Sequence, residues 1–267
     1  MYTAHWGLKF SPFSTPGKPA SFFASPTHDE ALARLQFIVQ QRRQLGLLTG
    51  AAGNGKSLLL EVFGQQMRGP QCEIVVFSVS GIGGQEFLGN VADHFGLHLS
   101  ANDTTFRLWR SIADHLFENR YQMIDTVFLL DDVDECESDT IALIAQLTQL
   151  ALTSSNQLTT VVTAQSGRVK HLGPRLLELA ELRIEVEAWE ATDTVNFLSH
   201  CLEQAGSTAS IFSTTAADRL HELSEGIPRR TCPLAHLALL AGARQALSVI
   251  DDSTVEWVHD ELGINRR

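Results

Sequence analysis

The chain has 267 residues, 44% of them hydrophobic and 19% charged, with a formal net charge of −11. That length allows a well-buried core, and the composition excludes general disorder. The acidic balance works against a high-affinity nucleic-acid footprint, which needs a concentrated basic face. Only folding or oligomerisation could gather the pairs Arg42-Arg43, Arg229-Arg230 and Arg266-Arg267 into one.

Residues 1–26 carry four of the eight prolines and the aromatics Trp6, Phe10, Phe13, Phe22 and Phe23, which predicts an ordered, non-helical arm. Helical spacing of Leu32, Leu35, Ile38 and Val39 follows the start signal Ser25-Pro26-Thr27-His28-Asp29-Glu30. Strand and helix signals then alternate. Strands are expected near 45–49, 72–79, 126–130, 158–163 and 182–186, with helices near 56–67, 85–95, 104–118 and 139–152. Such alternation implies βαβ units, a mainly parallel sheet and helices on both faces. After Trp189 the strand signals stop, and helices are expected near 191–204, 214–223, 228–246 and 253–262. The expected organisation is therefore an arm at 1–26, an α/β core at 27–189 and an all-helical lid at 190–267.

No apolar run approaches the ~20 residues of a membrane-spanning helix, so direct membrane insertion is not expected. The first residues lack a secretory signal. Cys72, Cys136, Cys201 and Cys232 are scattered without a CxxC pair, as in a chain whose thiols stay reduced in the cytoplasm. The ten histidines show no metal-ligand spacing.

Gly50, Ala51, Ala52, Gly53, Asn54, Gly55, Lys56 and Ser57 fit GxxxxGK[ST], between a predicted strand and a predicted helix that continues through Leu58. Glycines let such a loop curl so that its N–H groups face phosphate oxygens, and the helix start adds a partial positive charge. Lys56 would reach the β- and γ-phosphates and the Ser57 hydroxyl would ligate Mg²⁺. The bland alternative is a glycine-rich turn with no ligand. A second motif argues against it: residues 126–130 form an apolar strand that ends in Asp131-Asp132. Acids at the C-terminal edge of a parallel strand lie on the ligand face of the sheet. Asp131 is then the partner of Mg²⁺ and Asp132 the group that polarises water. Gln165, at the tip of the next strand, is placed to orient that water. Arg229, in Gly226-Ile227-Pro228-Arg229 at a helix start, is placed to sense the γ-phosphate, since a helix N-terminus otherwise mildly disfavours a cation.

With these residues placed, the chain resembles the AAA+ ATPase domain of the general secretion pathway protein A (ExeA-type) family, which is related to TnsC- and MuB-type transposition ATPases. The resemblance runs from Trp6-Gly7-Leu8-Lys9 and Pro12-Phe13, through residues 25–35 and both nucleotide motifs, to residues 223–229. It implies a P-loop fold with a five-stranded parallel sheet in the order 5-1-4-3-2, a C-terminal all-α lid, and bound ATP and Mg²⁺. It also implies that residues 50–58 bind the nucleotide, that Gln165 is sensor 1, and that Arg229 is sensor 2. Arg183 matches one arginine of a pair that serves a neighbouring subunit; Glu181 stands at the other position, and Arg175 is a second candidate.

The family usually has Asp-Glu where this chain has Asp131-Asp132. The shorter carboxylate predicts ATP binding with slow turnover, unless Glu135 or a shifted water compensates. The leading expectation is a homo-oligomeric ATPase that controls a protein partner complex, of the secretion or pilus type. A DNA-binding transposition-type regulator is the runner-up, disfavoured by the charge, and a non-hydrolytic nucleotide-dependent scaffold is the third reading. Secretion-type members often add a membrane helix and a cell-wall-binding module; this sequence ends at the lid, so direct peptidoglycan binding is not expected.

Overall fold

The computed structural model describes residues 2–13, 19, 22–97, 103–150 and 157–262. Two compact units emerge from its internal contacts. One comprises Asp29–Ala52 and Lys56–Val186; the other comprises Met1–His28, Gly53–Gly55 and Glu187–Arg267.

In the first unit, five strands, β1 (Leu45–Gly50), β2 (Cys72–Ser78), β3 (Asp125–Asp131), β4 (Leu158–Gln165) and β5 (Ala180–Val186), form one sheet in the order β2-β3-β4-β1-β5. All neighbours pair in parallel. This is the expected 5-1-4-3-2 order, read from the opposite edge. The central strands β3 and β4 are buried along almost their whole length, as a sheet covered on both faces requires. Helix α2 (Pro26–Gln40) leads into β1, and α3 (Lys56–Met67), α4 (Gly84–His94), α5 (Thr105–Tyr121), α6 (Ser138–Gln149) and α7 (Gly173–Leu179) connect the strands. A core of Leu45, Leu47, Val75, Phe87, Phe128, Leu130 and their neighbours fills one side. On α3, a Cβ at Gly64 would stand 3.2 Å from Leu129 Cδ1 and 3.4 Å from Val76 Cγ2. Glycine there lets α3 lie close to the sheet, which fixes where its N-terminus opens.

Between β4 and β5 the sequence pattern announces no helix, yet the chain forms a 3₁₀ stretch (Ser166–Leu172) followed by α7. A 3₁₀ helix lacks the 3.6-residue period, and Gly167, Gly173 and Pro174 interrupt the pattern further.

The second unit holds α8 (Ala191–Gln204), α9 (Thr214–Ser224), α10 (Pro228–Arg244) and α11 (Asp252–Glu261). Glu190 and Asp193 form a reciprocal capping box that starts α8, and Ser213 and Asp251 cap α9 and α11. The aromatic arm belongs to this unit: Trp6, Leu8 and Phe13 share a core with Trp189, Phe197, Phe212 and Leu239. The arm departs from the non-helical expectation by one turn, α1 (Tyr2–His5). Burial of Trp6, whose indole N–H donates to the Leu239 carbonyl at 2.9 Å, holds that turn, and the Leu8 N–H closes it on the Thr3 carbonyl at 2.8 Å. Among the described residues no helix is long and apolar enough to cross a membrane.

Candidate functional site

In a parallel sheet all strands end on the same edge, so the residues after β1, β3 and β4 come together there. Gly50, the last residue of β1, lies in register with Gln165 at the end of β4 and with Val186 at the end of β5. A Cβ on Gly50 would meet the Val186 carbonyl oxygen at 2.6 Å. Only glycine allows the loop to leave the sheet at that point.

Ala51 and Ala52 are exposed, Asn54 is buried, and Gly53 and Gly55 adopt φ of +92° and +89°. These conformations are ordinary for glycine and strained for other residues. Lys56 opens α3 and is buried; its Nζ donates to the Gly50 and Ala51 carbonyls, at 3.0 Å each. Thus the ammonium lies inside the curl of its own loop. Ser57 is exposed and Leu58 half-buried in the first turn of α3.

At the end of β3 the buried Asp131 carboxylate accepts a hydrogen bond from the hydroxyl of Thr163, on β4. The same hydroxyl accepts the Asp132 N–H at 2.9 Å. Asp132 is left-handed, with φ 55° and ψ 41°. Burial, and then the carboxylates of Asp131, Glu135 and Asp134, hold its pKa above the ordinary 3.8, with Lys56 opposing. A carboxyl raised in this way suits proton transfer better than an ordinary one.

Glu135 is a junction: its carboxylate accepts from Arg168 Nη1 at 2.8 Å, Ser80 Oγ at 2.9 Å and Gln165 Nε2 at 3.3 Å. Arg168 also reaches the buried Asp134 carboxylate at 3.4 Å and the Asp134 carbonyl at 3.0 Å. The Gln165 amide therefore sits at the sheet edge with one N–H committed to the acidic turn. Motif reasoning passed over Thr163, Ser80 and Arg168, because none belongs to a spaced pattern; strand ends brought side by side create their role.

Within the second unit, the Arg229 N–H, in the first turn of α10, donates to the Gly53 carbonyl at 3.3 Å. A Cβ on Gly53 would lie 2.8 Å from Arg229 Cβ. This places Arg229 against the apex of the loop, with its side chain exposed. Arg183 lies elsewhere, mid-strand on β5 in register with Leu47 and exposed. Arg175 binds Gln149 at 2.6 Å, and Glu181 is occupied by Arg43 at 3.1 Å and the Gln44 N–H at 2.9 Å.

A family model described as AAA domain matches residues 39–172, which takes in the phosphate loop, β3 and β4. The chain belongs to this AAA domain family. It is also 29% identical over 245 residues to general secretion pathway protein A of Aeromonas hydrophila, covering 90% of this chain. It spans 45% of that relative's length. Among solved structures, the Aeropyrum pernix Orc1 protein in complex with DNA aligns at a TM-score of 0.72 and 14% identity, over 94% of this chain and 68% of that one. Cdc6p of Pyrobaculum aerophilum aligns at 0.70 and 15% identity, over 94% and 70%. The Thermotoga maritima RuvB Holliday junction branch migration motor aligns at 0.62 and 15%, over 95% and 74%. At such identities the likeness is one of fold, and the fold is that of P-loop AAA+ proteins.

Proposed function

We propose that this AAA+ chain binds Mg-ATP at residues 50–58, hydrolyses it slowly, and uses the nucleotide state to control its own oligomerisation and the assembly of a partner complex in the cytoplasm. One observation carries the reading: the Lys56 ammonium, the Asp131-Asp132 carboxylates and the Gln165 amide are delivered by consecutive strand ends to one edge of one sheet. Asp131 and Ser57 offer hard oxygen donors, which suits Mg²⁺, an ion commonly held by one or two protein oxygens and the substrate phosphates. When bound, the ion would offset charge building on the β- and γ-phosphates.

In this reading Asp132 accepts the proton of the attacking water, and its raised pKa supports the role. Gln165 orients that water. Arg229 reads the nucleotide through its place at the loop apex, and Arg183 supplies charge to a neighbouring copy. Turnover is slow because an aspartate carboxylate falls about 1 Å short of a glutamate's reach, and such misplacement can cost on the order of 10²-fold. Likeness to general secretion pathway protein A favours secretion or pilus machinery as the partner.

A steady-state phosphate-release assay with and without Asp132→Ala tests the catalytic half. Fast turnover indifferent to that substitution would sink it. Light scattering with and without a non-hydrolysable ATP analogue tests the assembly half; a monomer unchanged by nucleotide would count against it. Orc1 in complex with DNA and a branch migration motor are the fold neighbours that bring DNA to mind as partner. Retardation of duplex DNA at low salt with ATP would move this chain toward that second reading, against its charge of −11.

A further inference from the structure

We propose that His28, at the start of α2, is a positioning residue that sets the direction of the backbone amides at the apex of the phosphate loop. The inference rests on reading residues 50–57 as a phosphate loop.

The imidazole of His28 is 3% exposed and uses both ring nitrogens. Nε2 lies 3.1 Å from the Asn54 carbonyl oxygen, and Nδ1 lies 2.7 Å from Ser25 Oγ. A carbonyl can only accept, so Nε2 carries a proton and donates. In the neutral ring Nδ1 must then accept from the Ser25 hydroxyl. Ser25 thereby selects the tautomer that Asn54 needs. The spacing Ser25-Pro26-Thr27-His28 puts the two side chains one helical turn apart, which lets a single turn supply both groups.

Consequences for the loop follow from peptide geometry. In a trans peptide the carbonyl and the next N–H point in opposite directions. Holding the Asn54 carbonyl toward His28 therefore turns the Gly55 N–H the other way. The preceding peptide is fixed similarly, because the Gly53 carbonyl accepts the Arg229 N–H at 3.3 Å, which orients the Asn54 N–H. Two consecutive carbonyls are thus held, and their two partner amides are turned away from His28 and from the start of α10. Consecutive amides of such a loop are what a phosphate binds. The fit is close: a Cβ on Gly55 would stand 2.9 Å from His28 Nε2.

The test is titration of the full chain with a fluorescent ATP analogue and Mg²⁺, in the wild type and in His28→Leu, His28→Gln and Ser25→Ala. His28→Leu removes the donor and weakens binding about tenfold, the scale of one lost hydrogen bond. His28→Gln keeps an N–H near the same place and stays within about threefold of wild type; Ser25→Ala, which only frees the tautomer, loses about threefold. Wild-type affinity in His28→Leu overturns the proposal, as does equal weakening in the Leu and Gln variants, since packing alone would not tell a donor from a non-donor. Should His28→Leu fail to fold, as its unfolding curve without nucleotide would reveal, unchanged affinity in Ser25→Ala overturns it instead. Lys56→Ala separates this inference from the one beneath it. If Lys56→Ala binds like wild type, the phosphate-loop reading itself falls; if it loses binding while His28→Leu does not, only the role of His28 falls.

Discussion

At the apex of the phosphate loop the carbonyls of Gly53 and Asn54 are held by the Arg229 N–H and the His28 imidazole, whereas at the end of β3 the Asp131 carboxylate and the Asp132 N–H are both held by one hydroxyl, that of Thr163. The first region, Gly53 to Gly55, presents backbone amides, so its role depends on how its peptides are turned, and the loop's charge comes from Lys56 beside it. The second presents carboxylates, so side-chain identity is everything and the backbone serves only to aim. Loss of a group should therefore act differently in the two places. Removing a side chain that offers charge should cost turnover most, and disturbing the backbone should cost stability.

The largest effect is expected from Lys56→Ala, which strips the one buried cation from the loop. Removing a preorganised charge of this kind costs about 10²–10³-fold in rate. Phosphate release and nucleotide titration together would show it, and an active Lys56→Ala variant would erase the contrast between the two regions.

Next comes Thr163→Val, which keeps the shape and deletes the hydroxyl. Both of its partners, the Asp131 carboxylate and the Asp132 N–H, lose their Thr163 hydrogen bond at once. Turnover should fall about 10- to 100-fold with misplaced carboxylates, and Thr163→Ser should restore most of it. Equal behaviour of the Val and Ser variants would mean that the carboxylates are aimed by something other than this hydroxyl.

The same contrast explains what could be read from sequence. The loop is legible because its glycines stand at fixed spacing and Gly53 and Gly55 answer a local demand, positive φ; the close Val186 carbonyl that requires glycine at Gly50 belongs to β5 and shows only in the fold. The parallel sheet and the buried β3 and β4 follow from short apolar runs alternating with helical ones, whereas the strand order comes only from the family resemblance. Thr163 is not legible, since its hydroxyl matters only because β4 lies beside β3, a distance of 32 residues along the chain from Asp131. His28 hides for a similar reason, standing in a helix-start signal 26 residues before its acceptor. The Glu135–Arg168–Gln165 junction likewise exists only once the turns after β3 and β4 face each other. Local rules recover elements and loops; side chains that bridge elements need the fold.

A backbone change offers the third comparison. Gly55→Ala combines a φ of +89° with a contact of 2.9 Å to His28 Nε2. Strain of this sort costs about 1–3 kcal/mol, readable as a lower denaturation midpoint at unchanged m-value. Combining Gly55→Ala with His28→Ala should recover part of the loss, because the ring that the new methyl meets is gone. No recovery would assign the whole cost to φ.

The smallest effect concerns pH, and it separates the function of Asp132 from its contribution to stability. Its folded pKa is raised above 3.8, chiefly by burial and then by Asp131, Glu135 and Asp134. A raised carboxyl binds its proton more tightly in the folded than in the unfolded chain, so ionisation disfavours folding. That penalty is absent below the unfolded value, grows as pH rises from there to the folded pKa, and is complete above it. Asp132→Asn, which imitates the protonated form, should therefore stabilise the nucleotide-free protein slightly at neutral pH. The advantage should shrink as pH falls through the raised pKa toward 3.8. Turnover should move the opposite way, because Asn cannot accept a proton, and in the wild type it should fade over the same acid range. Paired melting and hydrolysis profiles would check both limbs. A variant that gains stability equally at every pH would place the effect in the left-handed backbone at residue 132, where Asn is well tolerated, rather than in the charge.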